Sequence, residues 1–142
     1  MTRAVRSVLV AVLAAACISS GAVPAQASVV TVTVEVSHIV HRPGTDLACE
    51  VAVPEGSNGI AVLDAAVQAG CITSYETAEF EGFGRYITCV DGLCQVAGGL
   101  VAYWALFFDD EFAQTGIEGF EAAVGREIEL TFTSLNCWVE LC

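Results

Sequence analysis

Lysine is missing from this sequence altogether, and five arginines face 17 acidic residues, for a net charge of −12 over 142 residues. Proteins that neutralise phosphate need clustered Lys and Arg, so nucleic acid is excluded as a partner, and so is an anionic membrane surface. Charged residues make up only 15% against 55% hydrophobic. That balance excludes intrinsic disorder, which goes with low hydrophobicity and high charge. A long membrane span is also wanting: the apolar run Val8 to Ile18 would rise about 17 Å as a helix, against a hydrocarbon core of roughly 30 Å. One small globular domain is expected.

That short run has a different meaning. Arg3 and Arg6 precede it and Ala25-Gln26-Ala27 follows it, the basic start, apolar middle and small-residue cleavage site of a secretory signal peptide. The expected organisation is therefore residues 1–27 as signal peptide, 28–47 as a first strand and turn, and 48–142 as the remainder of one domain. A rival site is Cys17, where a lipid anchor would be attached, but Ala14 stands where that pathway wants a bulky aliphatic residue. The expected location is secreted, with the Cys17 anchor as the alternative. Cleavage after Ala27 leaves Arg42, Arg85 and Arg126 against all 17 acids.

Six cysteines then remain: Cys49, Cys71, Cys89, Cys94, Cys137 and Cys142. In an oxidising compartment an even set reads as three disulfides. No Cys-x-x-Cys pair occurs, and His38 and His41 lie away from any cysteine pair, so the zinc reading is set aside. His38 and His41 would also point to opposite faces of an extended strand.

Along the chain, Val30, Val32, Val34 and Val36 alternate with Thr31, Thr33 and Glu35, a half-buried strand. Pro43-Gly44 marks a turn, and Cys49, Val51 and Val53 begin a second strand that stops at Pro54. Ser57 or Asn58 suits a helix N-cap and Gly70 the residue after its end. Ile60, Leu63, Ala66 and Val67 are expected on its buried face. A short strand followed by a helix of similar length returns the chain to its start, so Cys49 is expected to pair with Cys71. Strands follow at Ile72 to Glu76 and, after the Gly82-Phe83-Gly84 bend, at Arg85 to Val90. Asp91-Gly92 between Cys89 and Cys94 reads as a stapled hairpin turn. Cys137 with Cys142 completes the set, although six cysteines allow 15 pairings. Val101 to Phe108 and Glu127 to Thr133 are the last strands, joined by a loop through Gly116, Gly119 and Gly125, with Ile128, Leu130 and Phe132 inward.

The segment 101–108 breaks the pattern of one apolar face. Val101, Tyr103, Ala105 and Phe107 make one apolar side, and Ala102, Trp104, Leu106 and Phe108 the other. Either the second side is a docking surface for an apolar ligand or partner, or the 109–125 loop folds over it. Trp104 decides between them.

Several runs in order carry a resemblance: Tyr86-Ile87-Thr88-Cys89-Val90-Asp91-Gly92, Tyr103-Trp104-Ala105-Leu106, Gly116-Ile117-Glu118-Gly119-Phe120 and Gly125-Arg126-Glu127-Ile128-Glu129-Leu130. Upstream, Val51-Ala52-Val53-Pro54-Glu55-Gly56 and Val62-Leu63-Asp64-Ala65-Ala66 match the opening of the same domain. Over roughly residues 48 to 133 the chain resembles the C-terminal domain of the transcobalamin and intrinsic factor family and its secreted bacterial relatives. The resemblance implies an α+β, β-grasp-like fold, one helix packed on a curved mixed sheet and stapled by disulfides. It also implies cobalamin as the ligand, with the family's Trp-Gln-Leu contact segment falling on Trp104, Ala105 and Leu106. Ala105 lacks the glutamine amide, so a contact there is backbone or apolar. The family's larger helical toroid has no counterpart in this sequence, so a half-site of modest affinity is expected unless a partner supplies the other wall.

No catalytic constellation stands out. Ser37, Ser57, Ser74 and Ser134 lie in no nucleophile context. Glu76, Glu79 and Glu81 read as a solvated edge, and Asp109-Asp110-Glu111 lacks the ligand spacing of a calcium loop. The expectation is a secreted non-enzymatic binding module that needs no cofactor, with Trp104, Ala105, Leu106, Phe108, Phe83 and Tyr86 meeting a corrinoid or another flat apolar ligand. An extracellular protein-interaction module is the alternative, and a small protease inhibitor the third.

Overall fold

The computed structural model describes residues 27–38, 46–96 and 102–134. Cys17 and most of the expected signal peptide, His41, Val101, Cys137 and Cys142 lie outside the described residues, so the third disulfide and the export reading rest on sequence.

Among the described residues, eight strands form two sheets, beside one α-helix and one 3-10 turn. β1 (Val29–His38), β2 (Leu47–Pro54), β6 (Tyr103–Phe108), β7 (Glu111–Phe112) and β8 (Glu127–Thr133) form a five-stranded sheet in the order β2-β1-β8-β6-β7. β1 and β8 run parallel and the other neighbours antiparallel. β3 (Tyr75–Phe80), β4 (Gly84–Val90) and β5 (Leu93–Cys94) form a smaller antiparallel sheet. Helix α1 (Gly59–Gln68) packs on β2, while β4 packs across β6. The fold is α+β and β-grasp-like, as the resemblance implied.

The valine alternation of β1 puts Val30, Val32, Val34 and Val36 in the core. In register beside them stand Val51 and Val53 of β2 and Ile128 and Leu130 of β8, with Trp104 and Leu106 of β6 next to Phe132 and Leu130. Period-2 alternation buries one face of β1, β2 and β8 against the same layer. Thr131 and Thr133 take the opposite face as expected, yet both are buried. Thr131 sits between Ser37 and Ala105, and the Ser37 and Thr131 hydroxyls are 2.8 Å apart.

Helix α1 starts where the sequence suggests. The Asn58 side chain accepts from the Ala61 N–H at 3.0 Å, and Gly70 takes the left-handed conformation at φ +75°. Its buried face is Gly59, Val62, Leu63 and Ala66, rotated from the expected one, so that Ile60 and Val67 are only half-buried. Gly59 sets that rotation: a side chain there would run into the Ile117 carbonyl of the 3-10 turn Ile117–Gly119.

The third strand begins at Tyr75 rather than Ile72, because Cys71 to Ser74 is a loop fastened to Asp91. The expected loop 109–125 contains β7 and the 3-10 turn. Cys49 pairs with Cys71 and Cys89 with Cys94, as expected.

Candidate functional site

Strand β6 decides between the two alternatives left open for its second apolar side, in favour of burial. Trp104 is only 5% exposed, and Ala105 and Leu106 are buried, so the free indole face that the apolar pattern suggested does not exist in this conformation. The physical reason is that two covers meet over it. At one end the indole N–H of Trp104 donates to the Leu93 carbonyl at 2.9 Å, its ring lies 5.0 Å from Phe132, and the His38 ring stands edge-on to it at 5.5 Å. At the other end the 109–125 crossover folds back: Ile117, Phe120 and Ala122 are buried, and Phe120 lies 5.2 Å from the ring of Phe108.

The six residues suggested as ligand contacts are therefore not one patch. Trp104, Leu106 and Phe108 share a face, and Ala105 points to the other side of the sheet. Phe83 and Tyr86, both half-buried, stand at the far end of β4, about 13 Å along the strand from Val90 for Tyr86. There the Phe83 carbonyl accepts from the Gly116 N–H at 2.6 Å.

A groove of about 300 Å³ opens beside Trp104, lined by His38, Leu47, Asp91, Gly92 and Leu93 over Val36 and Val90. His38 and Leu93 are also the residues that touch the indole, so Trp104 lies directly behind the groove wall. The sequence reading missed this wall. It set His38 aside as a metal ligand and read Asp91-Gly92 only as a turn. The available signal was that His38 continues the valine face of β1 at period two.

A larger depression of about 410 Å³ lies between Phe108, Phe112 and Arg126, where Asp109 and Arg126 are spent on structure. Both Nε and a terminal nitrogen of Arg126 reach one Asp109 oxygen at 2.8 Å, and the Glu127 N–H donates to the other at 2.8 Å. Asp109 thus closes the β6–β7 turn rather than holding a cation, and Arg126 also lies over the Phe120 ring at 4.7 Å. Nearby, partial burial, followed by repulsion from Glu35, Asp110, Glu129 and Asp109, pushes the Glu127 carboxyl above its ordinary value. Tyr75 is pushed up too, first by burial and then by Asp64, whose carboxylate accepts from its hydroxyl at 2.7 Å. Among the described residues no cluster of three or more His, Cys, Asp or Glu could hold a metal ion, and no helix is long and apolar enough to cross a membrane.

Residues 60–134 match the family model described as Domain of unknown function (DUF4430). The chain belongs to that family. Solved structures that share the fold of this DUF4430 chain include haptocorrin and a Ruminococcus gnavus protein. Haptocorrin in complex with Cbi is 24% identical with a TM-score of 0.63, over 83% of this chain. The match spans 28% of the haptocorrin chain. A protein from Ruminococcus gnavus ATCC 29149, described as a candidate metal-binding protein, is 20% identical with a TM-score of 0.54, over 74% of this chain and 97% of its own. No curated protein sequence matches. At these identities the likeness speaks for the fold, which agrees with the family resemblance read from the sequence.

Proposed function

We propose that this DUF4430 chain is an exported, non-enzymatic binding module whose ligand is a corrinoid or another flat apolar molecule. The groove that ends on His38 and Leu93, with Trp104 immediately behind, is the observation that carries the reading. It brings a solvent-open cleft to the strand that the family resemblance points to. At about 300 Å³ it is at the small end of ligand clefts, which run roughly 300–1,000 Å³. It would therefore take one edge of a corrin and leave the rest to water or to a partner, which limits affinity. Haptocorrin, which shares the fold, is bound to Cbi in its structure, and that supports a corrinoid as the first ligand to try. Two disulfides among the described residues support an oxidising, extracellular setting.

Titration with cobinamide and with cobalamin tests it, in a Trp138→Phe background so that emission reports Trp104 alone. Quenching that saturates is expected. An unchanged spectrum at millimolar corrinoid removes the corrinoid. A second reading, recognition of an extracellular protein, draws on Phe80 and Phe112, which stand 64% and 50% exposed on edge strands. A polypeptide retained from culture supernatant by the wild type, and lost with Phe80→Ser and Phe112→Ser, would favour that reading.

A further inference from the structure

The cover over Trp104 is fastened in an unusual way. The tip of hairpin β4–β5 is the two-residue turn Asp91-Gly92, with φ of +50° and +75°, as the favoured two-residue hairpin turns require. Left-handed backbone is costly for a residue with a side chain unless that side chain finds a polar partner nearby. Asp91 finds its partners outside the hairpin. One of its carboxylate oxygens accepts from the Thr73 N–H at 2.5 Å, the Thr73 hydroxyl at 2.8 Å and the Ser74 N–H at 3.4 Å. Its own N–H donates to the Ser74 carbonyl at 2.9 Å. The loop it grips is in turn anchored to β2 through Cys49–Cys71.

Asp91, Gly92, Thr73 and Ser74 are all exposed, so this fastening is a set of solvent-accessible hydrogen bonds, the kind that opens before a core does. Beneath it lies the Leu93 carbonyl on the indole N–H. The Cys89–Cys94 bridge joins directly opposed residues of the two arms and makes the tip move as one piece. The β3–β4 ladder slips register between Glu76 and Thr77, a local break in the pairing near the tip, while Val90 at the base of the tip is fully buried.

We infer that the β4–β5 tip is a lid over Trp104, that Asp91 is its latch and the 73–74 loop its catch. This rests on reading the groove as the ligand site and extends it: opening the latch joins the groove to the indole, whose flat face suits a conjugated planar ligand. A strand that is sealed at rest then becomes a contact surface when the latch lets go.

Hydrogen exchange of the Trp104 indole proton, followed by NMR on the full chain without ligand, tests the latch. Asp91→Gly keeps the left-handed turn and removes the carboxylate, whereas Asp91→Asn keeps an acceptor oxygen. Exchange is expected to quicken about tenfold in Asp91→Gly, equivalent to about 1.4 kcal/mol, and to stay near the parent rate in Asp91→Asn. The core amides of Val32 and Leu130 should hold their rates. An unchanged indole rate in Asp91→Gly overturns the proposal, as does acceleration of indole and core amides together, which is loss of global stability. Because no ligand is added, failure of the corrinoid titration and failure of the latch are read separately.

Discussion

The main sheet has two covers, and their outer fastenings differ. Helix α1 lies on β2 through Val62, Leu63 and Ala66, all without exposure, and through the close approach of Gly59 to Ile117. The β4–β5 tip is rooted in the core by Val90, but its turn adds only one indole hydrogen bond to β6 and a peg from outside by the Asp91 carboxylate. Apolar burial at about 25 cal/mol per Å² is hard to undo in part, whereas exposed polar bonds each contribute on the order of 1 kcal/mol and exchange readily with water. The helix side is scaffold, and the exposed Asp91-Gly92 turn is where change is inexpensive.

The contrast can be broken at its common ground. Phe132 is fully buried and lies against Trp104, so Phe132→Ala should cost about 4 kcal/mol in urea unfolding. If both covers share one core, all spectroscopic probes will lose stability together. Separate transitions for the two sheets would show two independent units.

The disulfides sharpen it next. Cys49–Cys71 closes a separation of 22 residues and Cys89–Cys94 one of 5. On the chain-entropy account, Cys49→Ala with Cys71→Ala should lose about 3 kcal/mol and Cys89→Ala with Cys94→Ala about 2. A larger loss from the short loop would mean that the hairpin staple carries native-state interactions the helix side lacks. Smaller again is the cap: Asn58→Ala should cost about 1 kcal/mol, and Asn58→Asp should retain most of the stability in thermal melts.

The smallest effect lies on the sheet's outer acidic face. The folded state raises the Glu127 pKa, so it binds that proton more tightly than the unfolded chain does. The resulting penalty is present above the folded pKa and fades as pH falls through it toward the ordinary carboxylate value. Glu127→Gln should therefore raise the melting temperature slightly at pH 7, and the gain should shrink on acidification through that window.

Much of the architecture was legible because it is written in local chemistry. The alternating valines of β1, Asn58 before the helix, Gly70 after it and Asp91-Gly92 between cysteines each have one strong structural meaning, and the Cys49–Cys71 pairing followed from lengths alone. The exposure of Trp104 was not legible. A strand apolar on both sides tells which residues avoid water, but the covering groups are the Leu93 carbonyl, 11 positions before Trp104, and the Phe120 ring, 12 positions after the Phe108 it packs on. The same limit hid the Asp109–Arg126 clamp. Asp109-Asp110-Glu111 looked like a solvated acidic turn, and only the β6–β8 pairing brings Arg126 to it.

Parallel pairing of β1 with β8 has a consequence for biosynthesis. Val34 meets Ile128 and Val36 meets Leu130, so the centre of the sheet joins an early strand to a late one. A growing polypeptide can wind α1 and zip β3 to β4 as they emerge from the ribosome, but it cannot close its middle until Thr133 is free of the tunnel. Contacts of such long sequence separation form slowly. The nascent chain can pair β1 with β2 early, but the other edge of its most valine-rich strand stays open until translation is nearly over, which makes that edge the natural place for a chaperone to hold it.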